Sequence, residues 1–415
     1  MSLFGALALT AGVVGASAAA PLAHPDNTWM QMSGLPEPLT DPVFALAVSP
    51  SDPQTVLVGT SSGNIYHSSD GGGSWALAAR NIGRGILTIQ YDPFKPGVVF
   101  AGSRDAGLWR SRDGGGTWSR DQGLPSSTVR TVGFAKSITL AGTDGGLYAS
   151  RDDATWSPYL GFSQLSLSAV AVAAVNDPAK LLAGGDTSRG SEVLPLYVSV
   201  DGGGTWSLVK ALGSSTMVAA AAAGAVPPGA DSRPLVIGTN AGAFQSPDGG
   251  STWTQIDGVP AVDFTSVSFA ANHPERFYLA SDGGGGDSGG LWATSDSGQS
   301  FRSLGAPVPS VTALALSAED SPTLYAATFR AADHAVMLWA YHDAGGTPVA
   351  PASGVPAVAA APAVTTSTAA PASSSGYTLR GLLGASETPY LALGGLAVLV
   401  LLTAVVLQVR RGREK

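Results

Sequence analysis

Ser111-Arg112-Asp113-Gly114-Gly115-Gly116-Thr117-Trp118 is a motif that recurs along the chain. Its other copies are residues 68–75 (SSDGGGSW), 150–156 (SRDDATW), 199–206 (SVDGGGTW), 246–253 (SPDGGSTW), 294–301 (TSDSGQSF) and 341–348 (YHDAGGTP). The copies stand about 40–50 residues apart, a period that is typical of propellers and solenoids. The repeat therefore decides the architecture.

Each copy has the chemistry of a tight turn. The Asp side chain accepts backbone N–H groups, and the glycines supply backbone conformations with positive φ. The closing Ser/Thr-Trp begins a strand whose aromatic ring must be buried. We therefore interpret the conserved positions as structural: Asp70, Trp75, Asp113, Trp118, Asp152, Trp156, Asp201, Trp206, Asp248, Trp253, Asp296, Phe301 and Asp343, together with Trp29.

Between copies, each unit repeats three apolar runs that predict β-strands. In the first unit they are residues 43–48, 55–59 and 64–67, and the strand after Trp75 follows. Four strands in each of seven units predict an all-β, seven-bladed β-propeller. The Ala-rich run 217–223 has helical propensity, which the repeat context must override.

The two ends of the repeat region complement each other. Residues 27–36, around Trp29, resemble the strand that follows a motif, whereas the last copy at 341–348 lacks its Trp. We therefore expect the N-terminal strand to complete the last blade and close the ring.

The composition restricts the class of function. The chain of 415 residues carries a net charge of −8, and its last six residues contribute +3, so the remainder carries −11. This acidity argues against nucleic acid as a partner. It contains no Cys, so disulfides and thiolate metal sites are excluded.

The regions around the repeats predict a membrane-tethered protein. We assign residues 1–20 to a signal peptide, 28–348 to the propeller, 349–388 to a Pro/Ala/Ser/Thr-rich linker, 389–409 to a transmembrane helix and 410–415 to a basic cytoplasmic tail. The apolar N-terminal run has no preceding Lys or Arg, so an uncleaved anchor is the alternative. The expected location is the cell membrane, with one span and the propeller outside the cytoplasm.

The motif Ser-x-Asp-x-Gly-x-Thr-Trp resembles the Asp box of the BNR/Asp-box propeller superfamily. That group includes sialidases, xyloglucan-cleaving glycoside hydrolases, the sortilin propeller and the photosystem II assembly factors. The resemblance covers about residues 28–348. It implies that the boxes lie on the face opposite the functional site, which other loops build.

In a four-stranded meander, the opposite face receives the loops between strands two and three and the connections between blades. The binding candidates on it are Arg84, Arg104, Arg130, Arg189 and Arg330. The weaker catalytic candidates are Asp105, Asp186, Asp263 and Asp282. The Asp/Gly-rich loop 281–290 has oxygen ligands that suit Ca²⁺, but it lacks a known ligand spacing, so we assign no metal residues and calcium is the only cofactor considered.

Two classes of function fit these residues. A binding or scaffold module for a protein or glycan partner is the leading hypothesis, because the chain shows no complete catalytic set. The alternative is a glycoside hydrolase that uses two acidic residues on the face opposite the boxes. A sialidase is disfavoured, because the family's Arg-Ile-Pro motif is absent and no Tyr/Glu pair can be assigned.

Overall fold

A computed structural model describes residues 24–126, 128–163, 165–174, 179–187, 193–210, 212–285 and 288–346. The predicted signal peptide, linker, transmembrane helix and tail lie outside these ranges. Within them, no helix is long and apolar enough to cross a membrane. The described elements are β-strands, apart from one 3-10 turn at Gly283–Gly285.

The strands form seven four-stranded antiparallel sheets, as the repeat predicts. The innermost strands of blades 1 to 7 are β2 (Ala45–Ser49), β6 (Ile86–Tyr91), β10 (Val129–Ala135), β14 (Leu165–Ala174), β18 (Val218–Ala223), β22 (Ser266–Ala270) and β26 (Val311–Leu316). The second strands are β3 (Asp52–Gly59), β7 (Val99–Ser103), β11 (Ile138–Thr143), β15 (Lys180–Thr187), β19 (Leu235–Thr239), β23 (His273–Ser281) and β27 (Thr323–Arg330). The third strands are β4 (Ile65–Ser68), β8 (Leu108–Ser111), β12 (Gly146–Ser150), β16 (Leu196–Ser199), β20 (Gly242–Ser246), β24 (Gly290–Thr294) and β28 (Ala335–His342). The outer strands are β5 (Ala76–Ala79), β9 (Ser119–Arg120), β13 (Trp156–Pro158), β17 (Ser207–Leu208), β21 (Thr254–Gln255), β25 (Arg302–Ser303) and β1 (Trp29–Gln31).

The innermost strands form a closed ring. Each contacts the innermost strands of both neighbouring blades, and β26 of blade 7 contacts β2 of blade 1. The Ala-rich segment is strand β18, paired with β19, so the repeat context does override its helical propensity.

The N-terminal strand closes the ring, which confirms the expected arrangement. β1 pairs antiparallel with β28, and Trp29 lies opposite Tyr341. The Trp29 side chain is buried and its Nε1–H donates to the carbonyl oxygen of Leu304 in blade 6 at 2.7 Å. The first described strand is thus held by the last two blades.

The hydrophobic core is divided among the boundaries between blades. One buried cluster, for example, joins Ala45, Leu57 and Ile65 of blade 1 to Ile86 and Val99 of blade 2. Each sheet buries its apolar residues against the sheets of its two neighbours, and a second cluster joins blade 1 to blade 7, so closure of the ring completes the core.

The meander topology gives the ring two faces. The turns between third and outer strands, which contain the Asp boxes, share one face with the turns between first and second strands. We call this the box face. The other, which we call the open face, carries the turns between second and third strands and the connections between blades.

Candidate functional site

The Asp box is a self-contained hydrogen-bonded turn. Asp113 Oδ1 accepts hydrogen bonds from Ser111 Oγ at 2.7 Å and from the backbone N–H of Thr117 at 2.9 Å, and Asp113 Oδ2 accepts one from Thr117 Oγ1 at 2.6 Å. The Trp118 Nε1–H donates to the Gly115 carbonyl at 2.9 Å. The hydrogen bonds from Thr117 and Ser111 lower the pKa of Asp113 to about 2. The carboxylate is fully used by its own turn.

The same bonds recur in the other complete boxes, at Asp70, Asp201, Asp248 and Asp296. In the shortened box, Asp152 accepts from the backbone N–H groups of Ala154 and Thr155. The aromatic residues of these boxes are buried or half-buried. These carboxylates therefore hold the turns of the box face.

The seventh box has a different chemistry. Asp343 is completely buried, and its Oδ2 accepts a hydrogen bond from Tyr278 Oη at 2.7 Å and forms an ion pair with Arg276 Nη2 at 2.8 Å. Arg276 Nη2 also donates to the backbone carbonyl of Asp343 at 2.7 Å. Its Oδ1 forms an ion pair with Arg302. Burial acts to raise the pKa of Asp343, and the hydrogen bonds from Arg276, Tyr278 and Arg302 outweigh it and lower the pKa. Asp343 thereby joins blade 7 to blade 6.

The central channel opens on the open face into a cavity of about 550 Å³. All seven blades contribute to its lining, because it lies where the innermost strands begin. Phe44, Arg104, Arg130, Asp186 and Met217 are among the lining residues. Phe44 is 47% exposed although it is a large aromatic residue. We call this cavity the channel mouth and treat it as the candidate site.

Arg130 is held in the channel mouth by an acidic residue of its own blade. Its Nε–H donates to Asp144 Oδ1, and Ser166 Oγ of blade 4 donates to the same oxygen at 2.6 Å. Burial acts to raise the pKa of Asp144. The hydrogen bonds from Arg130 and Ser166 and the charges of Arg130 and Arg104 prevail and lower it. Asp144 is therefore ionised at neutral pH, and its carboxylate orients the Arg130 side chain.

The other predicted arginines differ in their partners. Arg84 pairs with Asp105 at 2.9 Å, and Arg330 pairs with Asp333 at 2.6 Å. Arg189 lies outside the described residues. Arg104 is exposed in the channel mouth and has no direct carboxylate partner among the residues that the structure describes. Among the described residues of the mouth, the Arg104 guanidinium is therefore the one that forms no ion pair, whereas that of Arg130 is held through its Nε–H.

Two of the four acidic candidates come together. Asp263 precedes β22 and Asp282 follows β23, so both lie on the open face of blade 6, where the charge of Asp282 acts on Asp263. Burial, followed by the charge and the hydrogen bond of Asp282, raises the pKa of Asp263. A glycosidase also uses two neighbouring carboxyl groups, which it holds about 5–9.5 Å apart on either side of the scissile bond.

The remaining acidic candidates are separate from this pair. Asp105 is bound to Arg84, and Asp186 lines the channel mouth opposite Ser166 in the β14–β15 ladder. Within the described ranges, no group of three or more His, Asp or Glu side chains could hold a metal ion. The loop 281–290 that we considered for calcium is described only in part, since Asp287 falls outside those ranges.

The sequence did not single out Asp144 and Ser166. Both stand in short segments that resemble ordinary turns or strand starts, and their role depends on contacts across fourteen and twenty-two residues. The available signal was weak: Arg130 occupies an innermost strand, and a half-buried Arg requires a carboxylate partner.

The fold, the closing strand and the repeated turns define an Asp-box β-propeller. Scans of protein-family models and of curated protein sequences found no match. Among solved structures, the chain is similar to the GH74 xyloglucanase from Xanthomonas campestris, with 18% identity and a TM-score of 0.51 over 69% of this chain and 51% of the enzyme. The chain therefore spans about half the length of that enzyme.

The chain is also similar to YCF48, over nearly the whole of that protein. YCF48 from Cyanidioschyzon merolae shares 16% identity, with a TM-score of 0.52 over 76% of this chain and 98% of YCF48. YCF48 bound to D1 peptide shares 15% identity, with a TM-score of 0.52 over 78% of this chain and 99% of YCF48. At these identities the likeness establishes a shared propeller fold.

Proposed function

We propose that the propeller is a binding module that holds a segment of a partner protein in the channel mouth on its open face. The observation that carries this proposal is the unpaired guanidinium of Arg104 in the same cavity as the exposed ring of Phe44. Arginine and aromatic side chains dominate the energetics of protein interfaces. The cavity volume of about 550 Å³ also falls within the range of ligand-binding clefts.

The lining indicates the chemistry of the bound segment. Arg104 offers a planar set of N–H donors that matches a carboxylate, while Phe44 and Met217 offer apolar surface. A segment with an acidic group next to an apolar side chain complements both. That YCF48, a propeller of the same fold, is known bound to a D1 peptide supports a peptide ligand.

A catalytic role as a glycoside hydrolase has less support. Asp263 and Asp282 do not line the channel mouth, where Asp186 is the only acidic residue of the described lining, whereas a glycosidase needs two carboxyl groups around its substrate. Asp105 is paired with Arg84. Hydrolysis of xyloglucan by the purified chain, abolished in an Asp263→Asn variant, would favour the enzyme over the binding module.

A photo-reactive residue in place of Phe44 tests the binding proposal. We expect it to give a discrete adduct with one partner in an extract of the native membrane, and we expect Arg104→Glu in the same chain to abolish the adduct. Leu77, which is 39% exposed on an outer strand, is the control position. Equal adducts at positions 44 and 77, or no effect of Arg104→Glu, would refute the assignment of the channel mouth. Arg84→Glu serves as the matched charge control, because Arg84 is already paired.

We further propose that residues 389–409 anchor the chain in a membrane and that the propeller stands outside the cytoplasm. The length and apolarity of this run and the basic residues after it support the anchor. The full chain should resist alkaline extraction from membranes, whereas a chain ending at residue 388 should be released. Release of both chains would contradict the proposal.

A further inference from the structure

A second cavity, of about 470 Å³, lies between blades 5 and 6 on the box face. Five prolines and the rings of Phe269 and Phe277 line it, and Glu275 is the only charged residue of its lining. We call it the proline groove. It is unrelated to the channel mouth, because it lies at the box-face ends of the second and third strands and not at the ring axis.

The walls of the proline groove are held in place by local bonds. In the turn between β18 and β19, the Gly224 N–H donates to Pro234 O at 2.9 Å and the Ala230 N–H donates to Pro227 O at 3.0 Å. A Cβ at Gly224 would lie 2.9 Å from Phe269 Cδ1, so glycine allows the ring to sit against this turn. The Phe269 and Phe277 rings are 5.2 Å apart. The groove is therefore preformed.

The lining favours an uncharged, proline-containing ligand. Grooves lined by aromatic rings bind extended proline-rich segments at low entropic cost, because such segments already adopt the polyproline II conformation. Residues 347–355 of this chain read Thr-Pro-Val-Ala-Pro-Ala-Ser-Gly-Val and carry no charge. They have the composition that the groove requires.

The described part of the chain ends close to the proline groove and on the same face. Gly346 follows β28 on the box face, and its carbonyl accepts a hydrogen bond from Arg302 Nη1 of blade 6 at 3.1 Å. The neighbouring residue Phe301 packs its ring 5.8 Å from Phe277, which lines the groove. One blade thus separates the end of the described chain from the groove.

The length of the segment is sufficient. Packed sheets are about 10 Å apart. Nine residues in the polyproline II conformation span about 28 Å at about 3.1 Å per residue. Residues 347–355 can therefore cross the box turn of blade 6 and still lie along the groove.

We propose that residues 347–355 of this chain dock in the proline groove between blades 5 and 6. The contact is intramolecular, and it turns the chain toward blade 5 after the seventh box. This inference does not depend on the proposed function of the channel mouth.

Disulfide trapping in the full chain tests the proposal, because the chain contains no Cys of its own. One cysteine replaces Thr254, an exposed lining residue on outer strand β21 of blade 5. The second replaces Val349, Ala352 or Val355 in turn. The control places the first cysteine at Ser119, the exposed residue that begins β9 in blade 2. Blades 5 and 2 both stand two blades from blade 7, so the two positions are matched in distance around the ring.

We expect at least one Thr254→Cys pair to form an intramolecular disulfide ten-fold or more faster than the Ser119→Cys pair, as measured by mass spectrometry after proteolysis. Similar rates at the two positions would overturn the proposal, as would no disulfide at Thr254→Cys in any of the three pairs. A disulfide-linked dimer in place of the intramolecular bond would assign the groove to a second copy of the chain and would also overturn it.

Discussion

The carboxylate of Asp343 forms an ion pair with the guanidinium of Arg276 across the boundary between blades 7 and 6, with Asp343 Oδ2 and Arg276 Nη2 2.8 Å apart. The carboxylate is completely buried, and Arg276 is 15% exposed. The intact boxes use the same Asp position for bonds within their own turn. The seventh box, which has lost its Trp, uses it to bind arginines of another blade.

We predict that Asp343→Asn lowers the free energy of unfolding by about 3 kcal/mol at neutral pH, because it leaves two partly buried guanidinium groups without their counter-charge. The pKa of Asp343 is lowered in the folded state, so its contribution is present above the pKa of the unfolded chain and is lost as the pH falls. Urea unfolding at pH 7 and pH 3 should show the difference between variant and wild type shrinking in acid. Asp296→Asn, in an intact box, is the control, and it should lower the free energy of unfolding by less than Asp343→Asn does.

Trp29→Ala should destabilise the propeller by about 3–5 kcal/mol, the usual cost of removing a fully buried tryptophan. The ring of Trp29 packs 4.9 Å from that of Tyr341, and its N–H bonds to blade 6. Thermal unfolding measures the loss. Trp118→Ala is the matched variant, because Trp118 is half-buried and bonds within its own box. Equal losses for the two variants would mean that ring closure contributes nothing beyond the burial of one aromatic ring.

Gly115→Ala should lower the free energy of unfolding by about 1–2 kcal/mol, whereas Gly116→Ala in the same box should lower it much less. Gly115 has φ = 105°, and a Cβ there would lie 2.7 Å from Leu57 Cδ1, which is buried. At Gly116 the nearest atom to an added Cβ is Asp113 Oδ2 at 3.4 Å. Chemical denaturation of both variants checks the prediction. A larger loss at Gly116 than at Gly115 would contradict this account of the box turn.

Asp263→Asn should stabilise the fold at pH 7 and have little effect near pH 4. The pKa of Asp263 is raised by burial and by Asp282, so the wild-type side chain is best accommodated when protonated. Its contribution is complete below the pKa of the unfolded chain and is lost as the pH rises through the folded-state pKa. The melting temperature of variant and wild type, measured across this pH range, should diverge as the pH rises. A stabilisation that is the same at pH 4 and pH 7 would show that Asp263 and Asp282 do not repel each other.

Much of the fold could be predicted from the sequence, because each blade repeats local signals. The box turns, the strand runs and the complementary ends around Trp29 and residues 341–348 are visible as patterns. Strand bounds were less accurate: the first innermost strand was predicted at 43–48 and lies at Ala45–Ser49. A strand ends where its ladder hydrogen bonds end, and those depend on the partner strand as well as on hydropathy.

The candidate site could be predicted only in part. The sequence placed Arg104 and Arg130 on the face opposite the boxes, and the structure brings them into one cavity. It did not indicate that Asp144 would hold Arg130 and leave Arg104 free, nor that Asp263 and Asp282 would meet. These contacts join turns that are separated along the chain, and the periodicity of the sequence does not predict them.

The sequence by itself determined the number of blades, the box turns and the strand that closes the ring, because turn chemistry and alternation of apolar residues act within a few residues. Only the tertiary structure decided which charged groups pair and which remain open. Closure of seven sheets around one axis sets the distances between their loops, and pairing such as that of Asp343 with Arg276 and Arg302 depends on those distances. The charges that have no ion pair among the described residues, Arg104 foremost, are therefore a property of the closed propeller and not of any one repeat.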